Sequence, residues 1–186
     1  MKVAAVKKTS LLLVLLASVS CVTYVPFTEI RQTVPAENFV RLPSGQLVYA
    51  ERAGHGEPVL LLHGFGASSY AWRGVLPRLA STYRVVAPDL NGFGYTQRPE
   101  GFKSYTGFGQ VAMLLALMDE LGIERAHVVG HSYGGALALT LAHRHPERVR
   151  SLVLVDAAHP NYLHERRTAL AAVKPILGLY LRSVAL

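Results

Sequence analysis

Two kinds of hydrophobic spacing alternate along this chain of 186 residues. The first is a short, nearly continuous apolar run, which is typical of strands buried on both faces of a parallel sheet. Such runs occur in "PVLLLHG" from Pro58, "YRVVAPDL" from Tyr83, "RAHVVGH" from Arg125 and "VRSLVLVDA" from Val149. Two earlier segments, "FVRLP" from Phe39 and "LVYAERAG" from Leu47, flank a glycine-containing turn and predict two more strands.

The second kind is a helical spacing of apolar residues between the predicted strands. It extends from Tyr70 to Leu79, from Tyr105 to Leu121 and through "GGALALTLAHRHP". Gly122 stands where a helix C-cap is expected. Because strands alternate with helices at this spacing, the chain predicts an α/β fold, with a mostly parallel sheet flanked by helices. We expect the core of that fold over residues 39–160.

The first 21 residues have the pattern of an export signal. Lys2, Lys7 and Lys8 precede the apolar run "LLLVLLASV", which ends at Val19. This run is shorter than the roughly 20 apolar residues that a membrane-spanning helix needs, so an uncleaved anchor is the weaker alternative. Residues 1–21 are interpreted as a signal peptide or lipoprotein leader. The protein is expected to be exported to the cell envelope, either periplasmic or attached to the membrane.

Cys21 is the only cysteine of the chain, so the chain can form no internal disulfide. Its place after the small Ser20 resembles that of the lipid-modified cysteine of bacterial lipoproteins, although Ser18 stands where that family usually has leucine. A lipid anchor on Cys21 and an incidental thiol in a cleaved leader both stay open. Residues 22–38 follow, and their two prolines and irregular spacing predict a tether between the envelope and the core.

The composition fits one globular domain, because 51% of the residues are hydrophobic and 17% are charged. The formal net charge is +7, but residues 22–186 hold 16 Lys and Arg against 12 Asp and Glu once the lysines of the leader are set aside. The basic residues alternate with acidic and apolar ones, which is typical of a solvated surface. We therefore expect no nucleic-acid partner, and the sequence contains no motif for one.

The segment "VVGHSYGGALAL" places Ser132 between a predicted strand and a predicted helix. Gly130 and Gly134 complete the pattern G-x-S-x-G, which in this setting forms a nucleophile elbow. A sharp turn forces the serine into a strained backbone conformation, and the two glycines remove collisions with the neighbouring strand and helix. The turn exposes the serine hydroxyl and points the N–H of Tyr133 toward an anion that develops beside it.

Two further segments follow predicted strands and strengthen this interpretation. "HGFG" at residues 63–66 ends the third strand, and "DLNGFGYTQRP" at residues 89–99 follows the fourth. With the elbow, they make the region from about Phe39 to Pro160 resemble the α/β-hydrolase family, in its serine-nucleophile, cap-bearing and esterase-like branch. The resemblance covers most of the chain beyond the leader.

The resemblance implies a role for each matching residue. Ser132 is the nucleophile, and the backbone N–H groups of Phe65 and Tyr133 form the oxyanion hole. Gly64 lets the backbone turn so that the N–H of Phe65 faces the site, and Gly130 and Gly134 support the elbow. His63 is a structural residue of the turn rather than the general base. The adjacent His131 is likewise expected to pack rather than to catalyse.

The serine at the elbow also selects the expected reaction. Family members that open epoxides or displace halide resemble this chain in "HGF" and "DLNGFG", but they use a carboxylate nucleophile. A serine alkoxide attacks acyl carbons, so we expect hydrolysis of an ester or thioester through an acyl-enzyme. Hydrolytic carbon–carbon cleavage and cofactor-free perhydrolysis stay open. The expected partner is a small acyl substrate, with no metal and no organic cofactor.

The acid and the base are harder to place. The family has an acid and then a histidine after the serine, usually after the seventh and eighth strands, whereas "VRSLVLVDA" is the sixth strand here. Residues 161–186 resemble the start of a helical cap, so we expect the C-terminal strands to be missing. Asp156 followed by His159 or His164 has the correct order. So short a connection, however, needs an unusual loop to turn back onto Ser132.

Two classes of function are compared on these grounds. One is an exported serine hydrolase in an incomplete copy, inactive as 186 residues alone. The other is a non-catalytic binding or scaffold protein that uses the same fold. The intact glycines around Ser132 favour the hydrolase, because a binding protein has no need of a strained serine. An incomplete sheet also predicts that the apolar segment Ser151–Val155 lies at an open edge.

Overall fold

Six strands form one sheet in the computed structural model, which describes residues 25–158. The leader with Cys21, the candidate bases His159 and His164, and the cap-like segment 161–186 lie outside the described residues. The strands are β1 (Phe39–Arg41), β2 (Leu47–Ala53), β3 (Pro58–Leu62), β4 (Arg84–Pro88), β5 (Ala126–His131) and β6 (Val149–Val155). Each strand lies within a segment for which the hydrophobic pattern predicts one.

The order of strands across the sheet is β1-β2-β4-β3-β5-β6. The four strands β4, β3, β5 and β6 pair in parallel, whereas β1 and β2 are antiparallel and extend the sheet beyond β4. The mostly parallel sheet predicted from the sequence is therefore confirmed. Because the carboxyl ends of parallel strands meet at one edge of a sheet, the segments that follow β3, β4, β5 and β6 come together there.

Four α-helices accompany the strands in this part of the chain: α1 (Phe27–Ile30), α2 (Leu76–Leu79), α3 (Gly107–Glu120) and α4 (Tyr133–Arg144). Short 3₁₀ turns lie at Arg31–Thr33, Ala36–Asn38, Ser69–Trp72, Phe102–Tyr105 and Pro146–Arg148. The helix α3 ends where Gly122 adopts a φ of +63° and the N–H of Ile123 donates to the carbonyl of Met118. The predicted C-cap is thus present. Across residues 25–158, no helix has both the length and the apolar character needed to cross a membrane.

The helix predicted from Tyr70 to Leu79 is interrupted in the structure. A 3₁₀ turn at Ser69–Trp72 is followed by the four-residue α2. Gly74 lies between them, and glycine has a weak helix propensity. The apolar spacing instead reflects packing, because the side chains of Trp72 and Leu76 are each 8% exposed and lie in one cluster.

The segment predicted as an irregular tether is more ordered than expected between residues 25 and 38. Pro26 and Pro35 each precede a short helical turn rather than extended chain. The ring of Phe27 meets the ring of Phe39 edge to face, with centroids 6.0 Å apart, so this segment packs against β1. The tethering role itself stays a prediction.

Two hydrophobic clusters pack on the sheet and hold its central strands in place. The larger includes Leu62 of β3, Leu114 of α3 and Leu141 of α4, whose side chains are fully buried. The smaller includes Leu61 of β3 and Trp72. Since alternate residues of β3 point into different clusters, both faces of this strand are packed and the segment that follows it has a fixed starting point.

The strand β6 is the last of the sheet within the described residues. Its side chains include Val153, 50% exposed, and Leu154 and Val155, each 43% exposed. In this part of the chain, the segment Ser151–Val155 therefore lies at the edge of the sheet with apolar side chains toward solvent, as the strand count predicted.

Candidate active site

Ser132 lies at the junction of β5 and α4, at the carboxyl edge of the sheet. Its backbone has φ +51° and ψ −112°. Among the residues other than glycine in the described part of the chain, only Ser132 and Asp156 have a positive φ. L-residues adopt this region at a cost in energy, and nucleophile elbows are a setting in which proteins retain it. The strained turn that the sequence predicts is observed at Ser132.

Gly130 and Gly134 allow the chain to turn tightly on both sides of the serine. A Cβ atom on Gly134 would lie 2.3 Å from the carbonyl oxygen of Leu62. A Cβ atom on Gly130 would lie 2.5 Å from the carbonyl oxygen of Gly134. Both distances are far below van der Waals contact, so neither position can hold a side chain unless the backbone moves.

A third glycine, Gly135, has the same steric role and was not identified from the sequence. A Cβ atom on Gly135 would lie 2.4 Å from the Cβ of Ala157. Ala157 follows β6, so Gly135 lets the segment after β6 approach the first turn of α4. The adjacent pair of glycines in "SYGGAL" was the signal that could have found it.

The peptide groups of Ser132 are fixed from two directions. Its N–H donates to the carbonyl of Val155 at 3.0 Å. Its carbonyl accepts from the N–H of Ala158 at 2.9 Å, and also from the N–H groups of Gly135 and Ala136 at 3.0 and 3.2 Å. The strained residue is thus held both by the segment after β6 and by the first turn of α4.

The turn after β3 lies directly beside the elbow. A Cβ atom on Gly64 would lie 3.4 Å from the Cβ of Ser132 and 3.0 Å from Nδ1 of His131. Gly64 is outside the left-handed region, and a side chain there would be crowded by His131 and Ser132. The left-handed residue of this turn is Gly66, with φ +74°. That Gly64 lets the backbone turn stays a prediction.

The two predicted oxyanion donors occupy neighbouring turns. Tyr133 is the first residue of α4, where the exposed N–H groups of a helix carry partial positive charge. Phe65 follows Gly64 in the turn that contacts the elbow. Within residues 25–158, the N–H groups of Phe65 and Tyr133 have no backbone acceptor. The geometry therefore presents two backbone donors on elements that adjoin Ser132.

His63 connects the turn after β3 to the segment after β4. Its side chain is 0% exposed, and Nε2 accepts a hydrogen bond from the N–H of Leu90 at 3.0 Å. The ring proton is therefore on Nδ1, which donates to the carbonyl of Gly64 at 2.8 Å. Burial lowers the pKa of His63 below its ordinary value, although the hydrogen bond to Gly64 and the charge of Asp89 act in the opposite direction. Both ring nitrogens are engaged by the backbone, which fits a structural residue.

Asp89 orders the loop after β4 and was not identified from the sequence. Its carboxylate is buried and accepts from the N–H of Ser69 at 2.6 Å and from the N–H of Tyr95 at 2.7 Å. Charge-assisted bonds of this kind are stronger than neutral ones. Gly94 has φ +50° and passes so close to the carboxylate that a Cβ atom would overlap it. A carboxylate directly after a buried strand was the signal available in "DLNGFG".

Gln110 of α3 holds the loop after β4 through its buried side chain. Its side chain is 1% exposed, its Oε1 accepts from the N–H of Asn91 at 2.9 Å, and its Nε2 donates to the carbonyl of Asn91 at 2.9 Å. This pair of bonds satisfies both backbone groups of one loop residue. A glutamine on the apolar face of a predicted helix gives no local sign of such a partner, so the sequence could not reveal it.

Aromatic side chains cluster beside the elbow. The ring of Phe65 is 67% exposed and meets the rings of Phe93 and Tyr133 edge to face, with centroids 5.2 and 6.2 Å apart. Burial raises the pKa of Tyr133 to about 12, with a smaller opposing effect of Gln110, so its phenol is neutral at physiological pH. The aromatic cluster beside the elbow is therefore apolar and carries no charge from these rings.

The remaining candidates are placed as follows. Asp156 comes directly after β6, with an exposed side chain, and the histidines proposed to follow it lie outside residues 25–158. The exposed His131 packs against the backbone of Gly64. His143 and His145 lie at the C-terminal end of α4, the end remote from Ser132. The described residues thus bring together Ser132 and the two turns predicted to supply oxyanion donors.

Residues 25–158 contain no group of three or more His, Cys, Asp or Glu side chains that could hold a metal ion. A cleft of about 280 Å³ includes Glu37, Arg52 and Arg84 in its lining. Arg84 begins β4, so this cleft lies at the opposite end of that strand from the loop near the elbow. It belongs to a different face of the molecule from Ser132.

Comparison with known proteins gives a consistent match. A family model described as alpha/beta hydrolase fold matches residues 57–180. A 2-hydroxy-6-oxo-2,4-heptadienoate hydrolase of Pseudomonas putida is 49% identical over 107 residues, which cover 56% of this chain and 38% of that protein. An epoxide hydrolase of Siraitia grosvenorii is 41% identical over 111 residues, which cover 59% of this chain and 35% of that protein.

Solved structures agree with the sequence matches. A meta-cleavage product hydrolase of Pseudomonas fluorescens superimposes with a TM-score of 0.61 and 44% identity, over 64% of this chain and 44% of that chain. An epoxide hydrolase of Vigna radiata gives a TM-score of 0.60 and 40% identity, over 65% of this chain and 39% of that chain. This chain spans less than half the length of these relatives.

Proposed function

This chain belongs to the alpha/beta hydrolase fold family, and from that premise we propose that the protein is a serine hydrolase whose nucleophile is Ser132. The left-handed backbone of Ser132, between Gly130 and Gly134 at the junction of β5 and α4, is the observation that carries the proposal. Folds of this class serve many functions, so the argument depends on the site and not on the fold alone.

The proposed reaction proceeds through an acyl-enzyme. The Oγ of Ser132 attacks a carbonyl carbon, and the carbonyl oxygen becomes an oxyanion that the N–H groups of Phe65 and Tyr133 stabilise. The bond to the leaving group then breaks, and water hydrolyses the ester formed on Ser132. Preorganised backbone donors suit this step, since each donor of an oxyanion hole is worth about 10² to 10³ in kcat.

A general base must take the proton from Ser132 and pass it to the leaving group. His63 is unsuited to this task, because its buried ring already donates to Gly64 and accepts from Leu90. We propose that the base is a histidine beyond Ala158, in the order serine, acid, histidine that is typical of this fold. Asp156 with His159 or His164 has this order, but so short a connection needs an unusual loop to reach Ser132, so Asp156 is not the proposed acid.

The proposed substrate is a small, largely apolar acyl compound. The exposed ring of Phe65, which packs against Phe93, favours an uncharged group next to the reacting carbonyl. An ester is the first candidate. The relatives named as hydrolases of 2-hydroxy-6-oxo-2,4-heptadienoate and 2-hydroxymuconate semialdehyde add a second, which is hydrolysis of a carbon–carbon bond next to a ketone or aldehyde carbonyl.

The proposed function does not include epoxide opening, although some relatives are named epoxide hydrolases. The resemblance to the family implies that epoxide opening uses a carboxylate at the elbow and forms an alkyl ester. Here the residue at the elbow is Ser132, whose alkoxide is suited to acyl carbons. The proposed reaction uses no metal and no organic cofactor.

The proposed location is the cell envelope. Three lysines, the apolar run from Leu11 to Val19 and the small Ser20 support export, and Cys21 supplies a position for a lipid anchor. The substrate would then be met outside the cytoplasm.

A comparison of single serine variants tests the proposed function. The protein is purified from its native cell as the wild type, Ser132→Ala and Ser81→Ala. Hydrolysis of a short p-nitrophenyl ester and of 2-hydroxymuconate semialdehyde is measured for each. Ser81 is exposed and its hydroxyl donates only locally, to the carbonyl of Arg78, so it is a matched control. We expect kcat to fall about 10³-fold or more in Ser132→Ala and to stay unchanged in Ser81→Ala. Equal activity of the two variants would contradict the proposal, and a wild type without any hydrolysis would favour a binding or scaffold protein.

A further inference from the structure

We propose that Asp156 is a positioning residue for Ser132, which acts through its left-handed backbone and not through its carboxylate. The inference rests on the proposed function of Ser132 as a nucleophile. It concerns the segment Val155–Ala158, which we call the 155–158 clamp. This segment follows β6 and contacts both the elbow and the first turn of α4.

The clamp binds both peptide groups of the nucleophile. The carbonyl of Val155 accepts from the N–H of Ser132 at 3.0 Å, and the N–H of Ala158 donates to the carbonyl of Ser132 at 2.9 Å. Two residues lie between these contacts, one more than a regular parallel ladder would have, so the chain bulges there. The backbone of Ser132, with φ +51°, is therefore held in a conformation that it would not otherwise favour.

The bulge depends on the conformation of Asp156. Its φ is +45°, which places it in the left-handed region. Asp, Asn and Gly adopt this region more readily than other residues, because glycine lacks a Cβ atom and the short polar side chains of Asp and Asn form local hydrogen bonds. Alanine has a Cβ atom without such compensation, so it should shift the turn away from the geometry that serves Ser132.

Ala157 gives the clamp its second contact. The Cβ of Ala157 lies where Gly135 has no side chain, at 2.4 Å from the position that a Cβ on Gly135 would occupy. The clamp is therefore packed against the first turn of α4 while it is bonded to Ser132. A change in direction at Asp156 would displace both contacts at once.

This proposal and the alternative that Asp156 is the catalytic acid predict different effects of the same substitutions. If the backbone conformation matters, Asp156→Asn and Asp156→Gly keep the turn and rescue the function that Asp156→Ala loses. If the carboxylate matters, Asp156→Asn loses activity as severely as Asp156→Ala, because an amide carries no charge to stabilise a histidine cation.

The experiment measures turnover of a p-nitrophenyl ester and amide hydrogen exchange in the same four proteins. We expect Asp156→Asn and Asp156→Gly to keep kcat within about threefold of the wild type. For Asp156→Ala we expect kcat to fall about tenfold or more with KM nearly unchanged, because a small displacement of a nucleophile costs rate rather than binding. The amide of Ser132 should exchange about tenfold faster in Asp156→Ala, since its hydrogen bond to Val155 is weakened.

Gly122→Ala is the matched control for backbone strain. Gly122 has φ +63° and an open surrounding at the end of α3, and it precedes the start of β5 whereas the elbow follows the end of that strand. This variant should lose stability through the same kind of strain while it retains kcat and the exchange rate of Ser132. The comparison separates strain at the elbow from a general loss of stability.

Two results would overturn the proposal. An Asp156→Asn protein as inactive as Ser132→Ala would assign the carboxylate to catalysis. If the amide of Ser132 exchanges in Asp156→Ala at the wild-type rate, the backbone conformation of Asp156 does not hold Ser132 in position. The exchange measurement needs no turnover, so it decides the clamp even if the wild type hydrolyses none of the substrates and the proposed function fails.

Discussion

The carbonyl oxygen of Leu62 and the α-carbon of Gly134 approach so closely that a Cβ atom on the glycine would lie 2.3 Å from that oxygen. Leu62 ends β3 and Gly134 lies in the first turn of α4. The contact therefore joins the strand that leads to the proposed oxyanion turn with the helix that begins after the proposed nucleophile. Any side chain at position 134 would separate two parts of one site.

Gly134→Ala should therefore damage both the fold and the site. The added methyl group would meet backbone atoms that cannot rotate away, so we expect a loss of about 3 kcal/mol in the free energy of unfolding and nearly complete loss of ester hydrolysis. Urea denaturation and steady-state kinetics measure the two effects. Gly74→Ala is the control, because a Cβ atom there meets nothing within 4 Å and the backbone is not left-handed. Equal stability of these two variants would contradict the packing described for the elbow.

Asp89→Asn should destabilise the loop after β4. The buried carboxylate accepts from the N–H groups of Ser69 and Tyr95, and hydrogen bonds to a charged group contribute about 1.5 to 3 kcal/mol each. We expect the free energy of unfolding to fall by about 2 to 4 kcal/mol, because the amide retains only one acceptor oxygen. Asp119→Asn is the matched control, since Asp119 forms an exposed ion pair with Arg148 and should cost less than about 1 kcal/mol. A larger effect at Asp119 than at Asp89 would show that the buried contacts do not hold the loop.

The stability of the protein should depend on the protonation of His63. Its pKa is lowered in the folded protein, so the unfolded chain binds this proton at a higher pH than the folded chain does. The contribution of the neutral ring is therefore fully present above about pH 6.5, the ordinary pKa of histidine, and is lost as the pH falls toward the lowered value. In this pH range, the free energy of unfolding should change by up to about 1.4 kcal/mol per pH unit.

Denaturation of the wild type and of His63→Gln between pH 8 and pH 5 tests this dependence. The variant should be less stable at pH 8, because it loses a buried ring bonded to Gly64 and Leu90, and its stability should fall less steeply toward pH 5. Parallel pH profiles of the two proteins would assign the acid sensitivity to other groups.

The mature N-terminus should lie at or close to Cys21. The expectation follows from the lysines, the short apolar run and the small residue that precede this position. Mass spectrometry of the protein from its native cell should find the leader removed, and a diacylglyceryl mass on Cys21 would identify a lipid anchor. An intact Met1 terminus on cytoplasmic material would contradict export.

The elbow could be predicted from the sequence because its requirements are local. Gly130, Ser132 and Gly134 lie within five residues, and the apolar runs beside them fix which element precedes and which follows. The strands were predicted for the same reason, since a buried strand needs only its own side chains to be apolar.

Other parts of the site depend on contacts between distant residues, which a single sequence does not contain. Gln110 meets Asn91 only because α3 packs under the loop after β4, and Gly135 meets Ala157 only because β6 lies next to β5. The predicted helix from Tyr70 to Leu79 failed for a related reason. Its apolar residues serve the packing of Trp72 and Leu76, and that packing does not need a continuous helix.

The most direct test of the central claim is the site at which a fluorophosphonate reacts with the protein. Such a reagent forms a covalent bond with the activated serine of a hydrolase and stays attached. Digestion and mass spectrometry of the protein purified from its native cell should locate one adduct on Ser132, and Ser132→Ala should abolish the labelling while Ser81→Ala leaves it intact. Labelling that persists in Ser132→Ala, or an adduct on another residue together with undiminished ester hydrolysis, would contradict the account.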